Sequence, residues 1–262
     1  MAIQAKSVEE MYTQMQAKLH DVVPDVELRI KAEIAYEINR LKVEKNAVIL
    51  GHNYMEPALF ASIPDIVGDS LELSRRAAQV EQDVIVFCGV EFMAETAKIL
   101  NPGKTVLVPA ERAGCSLAAS ITAADVRKLK AQFPGVPVVT YVNTYADVKA
   151  ETDICCTSGN AVKVESLDSD TIIFLPDEYL AKNVAAETGK RIITPSKVNG
   201  NIDFDPDALA AGFDFVGWNG RCEVHEQFTV DDIVNVRSQF PDVEILAHPE
   251  CSPEVVAASD YA

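Results

Sequence analysis

Positive charge is what this chain has least of. Lys and Arg number 23 against 40 Asp and Glu, a formal net charge of −17. A broad grip on nucleic acid or on an anionic membrane needs clustered Lys and Arg, so the balance argues against both partners. It leaves room for a small anionic substrate held in a local pocket. No apolar run approaches the ~20 residues that span a bilayer. Residues 1–10 carry neither an apolar h-region nor a small-residue cleavage site. The expected compartment is the cytoplasm, where the six cysteines are read as thiols or metal ligands rather than disulfides. No C-x-x-C pair, G-x-G-x-x-G or P-loop occurs, so nucleotide binding has no motif support.

What is present suits a folded protein. Hydrophobic residues make up 48% of 262, enough to bury a sizeable core and to exclude wholesale disorder. That length suggests one or two domains. Ser7 and Glu10 look like a capping box opening a helix. Residues 7–44 read as two helices, with Val26, Ile30, Ile34, Ile38 and Leu41 at helical spacing. Beyond them, short β-branched runs at 47–50, 84–87, 105–108, 138–142, 171–175, 191–194, 213–217 and 243–247 alternate with helical patterns at 70–81, 91–100, 122–133, 178–188 and 229–239. Thr122 and Thr229 are placed to cap helices, and Gly189 to end one. This alternation predicts an α/β fold with largely parallel sheets covered on both faces.

An internal repeat refines the prediction. Thr122-x-x-Asp125-Val126, followed by Gln132-Phe133-Pro134-x-Val136, returns as Thr229-x-x-Asp232-Ile233 and Gln239-Phe240-Pro241-x-Val243, at an offset of 107. The same offset takes Cys115 to Cys222, Tyr141 to His248 and Asn143 to Glu250. A fainter copy, 47–54, aligns with 136–143. Repetition at a fixed period implies duplicated domains. Three polar pairs result at strand ends: His52/Tyr54, Tyr141/Asn143 and His248/Glu250. Period 2 puts each pair on one strand face, and the carboxyl ends of parallel strands are where such folds bind ligands.

Cys115 and Cys222 each close a repeat, with a glycine one or two residues earlier. Core packing is the plain alternative for any one cysteine. Cys88, Cys155 and Cys156 keep that reading, and Cys251 stands between packing and the site. One cysteine from each of three domains would make a three-thiolate centre. Such a centre can hold a four-iron cluster with one iron free to act as a Lewis acid, with zinc as the competing reading. From polar pair to cysteine is 63 residues in one repeat and 81 in the next. A third cysteine would therefore fall at about 311–329 by the repeat logic, past Ala262. Ser70 and Ser158 open helical stretches and read either as helix-end residues or as anion contacts.

The motifs Gly51-His52-Asn53-Tyr54, Gly68-Asp69-Ser70, Phe92-Met93-Ala94-Glu95-Thr96-Ala97, Ala113-Gly114-Cys115, Tyr141-Val142-Asn143-Thr144, Thr157-Ser158, Cys222-Glu223-Val224-His225-Glu226 and His248-Pro249-Glu250-Cys251 together resemble the quinolinate synthase family, from about residue 45 onward. The resemblance implies repeated three-layer αβα domains with parallel sheets around a pseudo-threefold axis, the third incomplete here. The expected segments are N-terminal helices over 1–45, a first domain over 46–118, a second over 119–226 and the start of a third over 227–262. It implies a transferase of NAD biosynthesis that condenses iminoaspartate with dihydroxyacetone phosphate to quinolinate, releasing phosphate and water. It implies a [4Fe-4S] cluster on Cys115, Cys222 and a third cysteine beyond residue 262. The substrate shell would be His52, Ser70, Tyr141, Asn143, Ser158, His248 and Glu250, with Glu250, Tyr54 and His248 as catalytic groups and Glu250 as general base. Iminoaspartate would come from L-aspartate oxidase or aspartate dehydrogenase. A zinc-dependent lyase or aldolase on the same scaffold, and a non-catalytic remnant, are the alternatives. Two departures from the family pattern stand out: the missing Gly-Ser-Thr segment and third cysteine after His-Pro-Glu-Cys, and a longer joint over 194–212.

Overall fold

The computed structural model describes residues 2–167, 169–198 and 200–262. They form two compact units, Met1–Gly114 and Cys115–Ala262.

In the first unit, α1 (Val8–Leu19) and α2 (Asp25–Glu44) precede β1 (Ala47–His52), α3 (Pro57–Ser62), β2 (Ile66–Gly68), α4 (Ser70–Ala77), β3 (Val84–Cys88), α5 (Glu91–Leu100) and β4 (Thr105–Leu107). The sheet runs β2-β1-β3-β4 and every pairing is parallel. Ile49, Val86 and Cys88 pack into the core beneath α1, α2 and α3. Their neighbours Val48, Leu50, Ile85 and Phe87 are also buried, so strands with period-2 side chains are covered on both faces. The apolar stripe read on α2 is displaced. Val26, Ile30 and Ile34 are 71%, 60% and 52% exposed, whereas Leu28, Ala32 and Ala35 face the core. Two apolar rows lie on this helix, and the one with small residues takes the close packing. Ser7 caps α1 by accepting the Glu10 N–H. The expected box is incomplete, because the Glu10 carboxylate takes the N–H of Lys6 instead.

In the second unit, α6 (Ala123–Gln132), β5 (Val138–Tyr141), α7 (Ala146–Lys149), β6 (Ile154–Cys156), a 3₁₀ stretch (Ser158–Ser166), β7 (Ile172–Leu175), α8 (Glu178–Thr188) and β8 (Ile192–Ile193) come first. A hairpin of β9 (Ser196–Val198) and β10 (Asn201–Asp203), then α9 (Pro206–Ala211) and β11 (Phe215–Val216), complete it. The five-stranded parallel sheet is ordered β6-β5-β7-β11-β8. Its two faces separate by side-chain parity. Val139, Tyr141, Ile172, Phe174 and Phe215 pack with Leu180, Ala181 and Val184 of α8, and Cys115 and Cys222 lie against this core. Val138, Ile173, Leu175 and Val216 pack with Val126 and Leu129 of α6 and with Ile202 of the hairpin. Gly189 ends α8 with φ at +68°, the left-handed conformation that favours glycine. Two residues of the longer joint at 194–212 are held to α6: Gln132 donates to the Ile202 carbonyl at 2.8 Å, and Lys197 pairs with Asp125 at 2.8 Å.

The chain closes with α10 (Val230–Gln239) and α11 (Pro253–Ala258) around a small core of Ile233, Cys251 and Val255. The run expected as a strand at 243–247 is not one. Among the described residues Ile245 and Ala247 bond to Asp260 and Tyr261, and Leu246 makes a bridge to Tyr261 and is 77% exposed. An apolar β-branched run becomes a strand only beside another strand, and among the described residues none adjoins it. The side chain of Asn183 on α8 donates to the Pro249 and Cys251 carbonyls at 2.8 and 3.0 Å. These bonds fix the loop that carries Glu250. Among the described residues, no helix is long and apolar enough to cross a membrane.

Candidate functional site

In the first unit His52 ends β1 and is buried. Its Nδ1 accepts the N–H of Tyr54 at 3.3 Å, and the two rings lie 4.2 Å apart. Burial holds the imidazole below its ordinary pKa, and Asp69 partly opposes this. Tyr54 is 78% exposed in the turn beyond the strand, so the pair meets through ring contact rather than through strand parity. Asp69 is the N-cap of α4, accepting from the Glu72 N–H; Ser70 is the residue after the cap. In register, His52 faces Gly68 of β2. His52, Asp69 and Ser70 therefore gather at the carboxyl ends of β1 and β2.

In the second unit a tighter group forms. Glu250 is 2% exposed. Its Oε2 lies 3.4 Å from His225 Nδ1 and 3.4 Å from His248 Nδ1. The two imidazoles stack at 4.6 Å between centroids. His248 Nδ1 accepts the Glu250 N–H at 3.2 Å. That places its proton on Nε2, 3.4 Å from Ser158 Oγ, since a neutral imidazole donates from only one nitrogen. Burial, and then His225, push the His248 pKa down to about 4, so the ring is neutral near pH 7. The Glu250 carboxyl is pushed up to about 8, first by burial and then by Asp177. A hydrogen bond from buried Tyr141 opposes the rise. Neither His248 nor Glu250 sits on a strand; the turn closed by Cys251 N–H to His248 carbonyl at 2.9 Å brings them together.

Asp177 belongs to this group and no motif marks it. It is fully buried. Its Oδ1 caps α8 by accepting the Leu180 N–H at 2.7 Å, and burial pushes its pKa up to about 7. In sequence it looks like any helix cap after a proline. Among the described residues, Asp177 Oδ2, His225 Nδ1 and Glu250 Oε1 are buried without a hydrogen-bond partner, as is Asn143 Oδ1 just beyond β5. Each such atom costs ~1–3 kcal/mol, and whole domains are stable by only ~5–15 kcal/mol. Three such atoms in one charge-coupled group point to a bound ligand or ion.

The two cysteines flank the group. Cys115 is half-buried and its N–H reaches Tyr145 Oη at 3.5 Å. Burial raises its thiol pKa, the Ala118 and Leu117 N–H groups lower it, and Cys222 and Glu250 raise it again. Cys222 begins a helical turn in which the Glu226 N–H bonds its carbonyl at 3.0 Å. Arg221 anchors that turn. It donates to Glu178 at 2.8 Å and to Glu226 at 3.0 Å, and it stacks on Tyr179 at 4.9 Å. This cation is therefore neutralised by two carboxylates of the chain and holds the Cys222 loop. Gly220 has a packing reason: a Cβ there would lie 2.5 Å from the Pro176 carbonyl and collide with Ser120. Cys222 Sγ, a His225 ring nitrogen and a Glu250 oxygen lie within 4.8 Å of one another, an arrangement able to hold a metal ion. Cys88 ends β3, Cys155 and Cys156 lie on β6, and Cys251 is buried beside α11.

The family model described as quinolinate synthetase A protein matches residues 36–262. The chain belongs to this family. It is 52% identical over 259 residues to the quinolinate synthase of Sinorhizobium medicae, covering 98% of this chain and 65% of that protein. It is 51% identical to the quinolinate synthase of Caulobacter vibrioides, with coverage of 93% and 61%. Quinolinate synthase 1 of Mesorhizobium japonicum is 53% identical, with coverage of 94% and 70%. The chain thus spans about two thirds of the length of these family members.

Proposed function

We propose that the whole protein is a cytoplasmic quinolinate synthase, condensing iminoaspartate with dihydroxyacetone phosphate and releasing phosphate and water. Iminoaspartate would be supplied by L-aspartate oxidase or aspartate dehydrogenase. The observation that carries this reading is one buried group in which Cys115 and Cys222 flank Glu250, together with membership of the family. The domain partition 1–45, 46–118, 119–226 and 227–262 is part of the proposal.

The donor chemistry fits a thiolate-held iron centre. Two thiols lie against one core, and the Leu117 and Ala118 N–H groups stabilise the Cys115 thiolate. Cys115 and Cys222 would hold a [4Fe-4S] cluster, with its third thiolate beyond residue 262. When bound, the cluster supplies Lewis acidity toward a substrate hydroxyl or carboxylate.

The remaining chemistry belongs to the chain. Condensation and aromatisation require protons to leave carbon and a hydroxyl to take up a proton and leave as water. A carboxyl titrating near pH 8 carries a proton at neutral pH. Glu250 gives that proton to a departing hydroxyl and, once ionised, takes one from carbon. His248, neutral with its proton on Nε2, donates to a substrate oxygen beside Ser158 and adds no charge. Tyr141 holds the Glu250 carboxylate by its hydrogen bond, and Asn143 offers recognition a buried Oδ1 without a hydrogen-bond partner among the described residues. His52, Ser70 and Tyr54 are proposed in their own right as substrate contacts. The test is quinolinate formation from the two substrates by the protein extended to its relatives' length. Glu250→Gln should abolish turnover while leaving the visible absorbance of the cluster intact; near-normal turnover would remove Glu250 as the proton carrier.

A further inference from the structure

We propose that Cys222, His225 and Glu250 also form a site for a single divalent transition-metal ion of the zinc type, held without Cys115. The inference shares Cys222 with the cluster reading but does not rest on it.

The three ligand atoms lie within 4.8 Å of one another. Tetrahedral zinc with ligand bonds of ~2.0–2.1 Å to nitrogen and oxygen needs those two atoms ~3.3–3.4 Å apart. His225 Nδ1 and Glu250 Oε2 lie 3.4 Å apart. The spacing Cys222-x-x-His225 is met within the helical turn closed by Glu226 N–H to Cys222 carbonyl, which puts residues i and i+3 on one side. A second observation is independent of the spacing: His225 Nδ1 and Glu250 Oε1 are buried without a hydrogen-bond partner among the described residues. An ion bound by Nδ1 and Oε2 would satisfy the imidazole nitrogen and offset the charge of the carboxylate that carries Oε1.

The donor set selects the ion. One thiolate, one imidazole and one carboxylate suit zinc or cobalt, whereas magnesium and calcium take oxygen alone. Three protein ligands leave a fourth position to water or a small carboxylate, the pattern of reactive rather than structural zinc. His248 stacks on His225 and orients its ring from outside the coordination sphere. Cys115 is not in the set. Zinc held here occupies Cys222, so it excludes the iron centre from the same chain.

The test uses the 262-residue chain, reduced and freed of metal, without iron. Titration with zinc should give one tightly held ion per chain by elemental analysis, and cobalt should give thiolate-to-metal charge-transfer absorbance. Cys222→Ser, His225→Gln and Glu250→Gln should each weaken affinity by more than ~100-fold, since even an outer-shell partner is worth 10–100-fold. Cys115→Ser should leave it unchanged. Should a variant misfold, the unmodified chain gives the same answer by alkylation mapping: zinc should protect Cys222 and leave exposed Cys155 reactive. No uptake of zinc, equal loss on Cys115→Ser, or unprotected Cys222 would overturn the proposal. Because iron is absent throughout, a failure here is separate from a failure of the cluster.

Discussion

At the scale of single residues, Asp177 and Glu250 govern how the site responds to pH. Both are buried carboxyls whose folded pKa values, about 7 and about 8, stand above the unfolded value of ~4. The fold therefore holds their protons more tightly than the unfolded chain does. Their contribution to stability is complete below ~4 and is lost as pH rises through the folded values. His248 acts in the opposite sense, but only between about 4 and 6.5. The metal-stripped chain should consequently melt at progressively lower temperature from pH 6.5 to about 8.5. Glu250→Gln should flatten that decline, and an unchanged slope in thermal scans would refute the assignment. Gly220→Ala tests the backbone beneath the site. Its Cβ would meet the Pro176 carbonyl at 2.5 Å, an overpacking that typically costs ~1–3 kcal/mol. A lowered melting temperature is expected, whereas an unchanged one would mean the loop gives way freely. At this scale spacing and motif single out Cys115, Tyr141, Ser158, Cys222, His248 and Glu250, much of the candidate group, whose roles remain proposals. Asp177 is not among them, because its role as a helix cap and its second oxygen in the buried group leave the same mark in a sequence.

At the scale of elements, the repeat is built into the backbone. Thr122 and Thr229 both open their helices with complete capping boxes, and with φ/ψ of −122/161° and −125/164°. Phe133 and Phe240 end those helices in similar conformations. Replacing a threonine cap costs ~0.5–2 kcal/mol. Thr122→Ala should cost more than Thr229→Ala, because its partner Asp125 is buried and paired with Lys197 whereas the bonds from Thr229 to Asp232 are exposed. Urea melts of the two variants check the order, and equal losses would contradict it. Helices and central strands were legible because capping chemistry and apolar runs are local. The run at 243–247 misled because pairing is not local: its sequence is strand-like, but no described strand adjoins it. The hairpin β9–β10 went unread although Asn199-Gly200 is a strong turn signal, since its strands are short and polar. On α2, periodicity located the helix but not the buried side, which the small residues Ala32 and Ala35 decide.

At the scale of the whole molecule, the shortage of cations takes on a structural meaning. Arg221 and Lys182 are both committed to Glu178, so the buried group around Glu250 offers neutral donors, a high-pKa carboxyl and thiols. Recognition of anionic substrates would then fall to hydrogen bonds and to a bound metal centre. On the proposed reading Cys115 and Cys222 are ligands of one iron–sulfur cluster. It is tested most directly by iron and sulfide content, with visible absorbance, after anaerobic reconstitution of the protein extended to its relatives' length. About four irons and four sulfides per chain are expected, with absorbance lost in both Cys115→Ser and Cys222→Ser. A full complement of iron and sulfide retained in either variant would contradict the account.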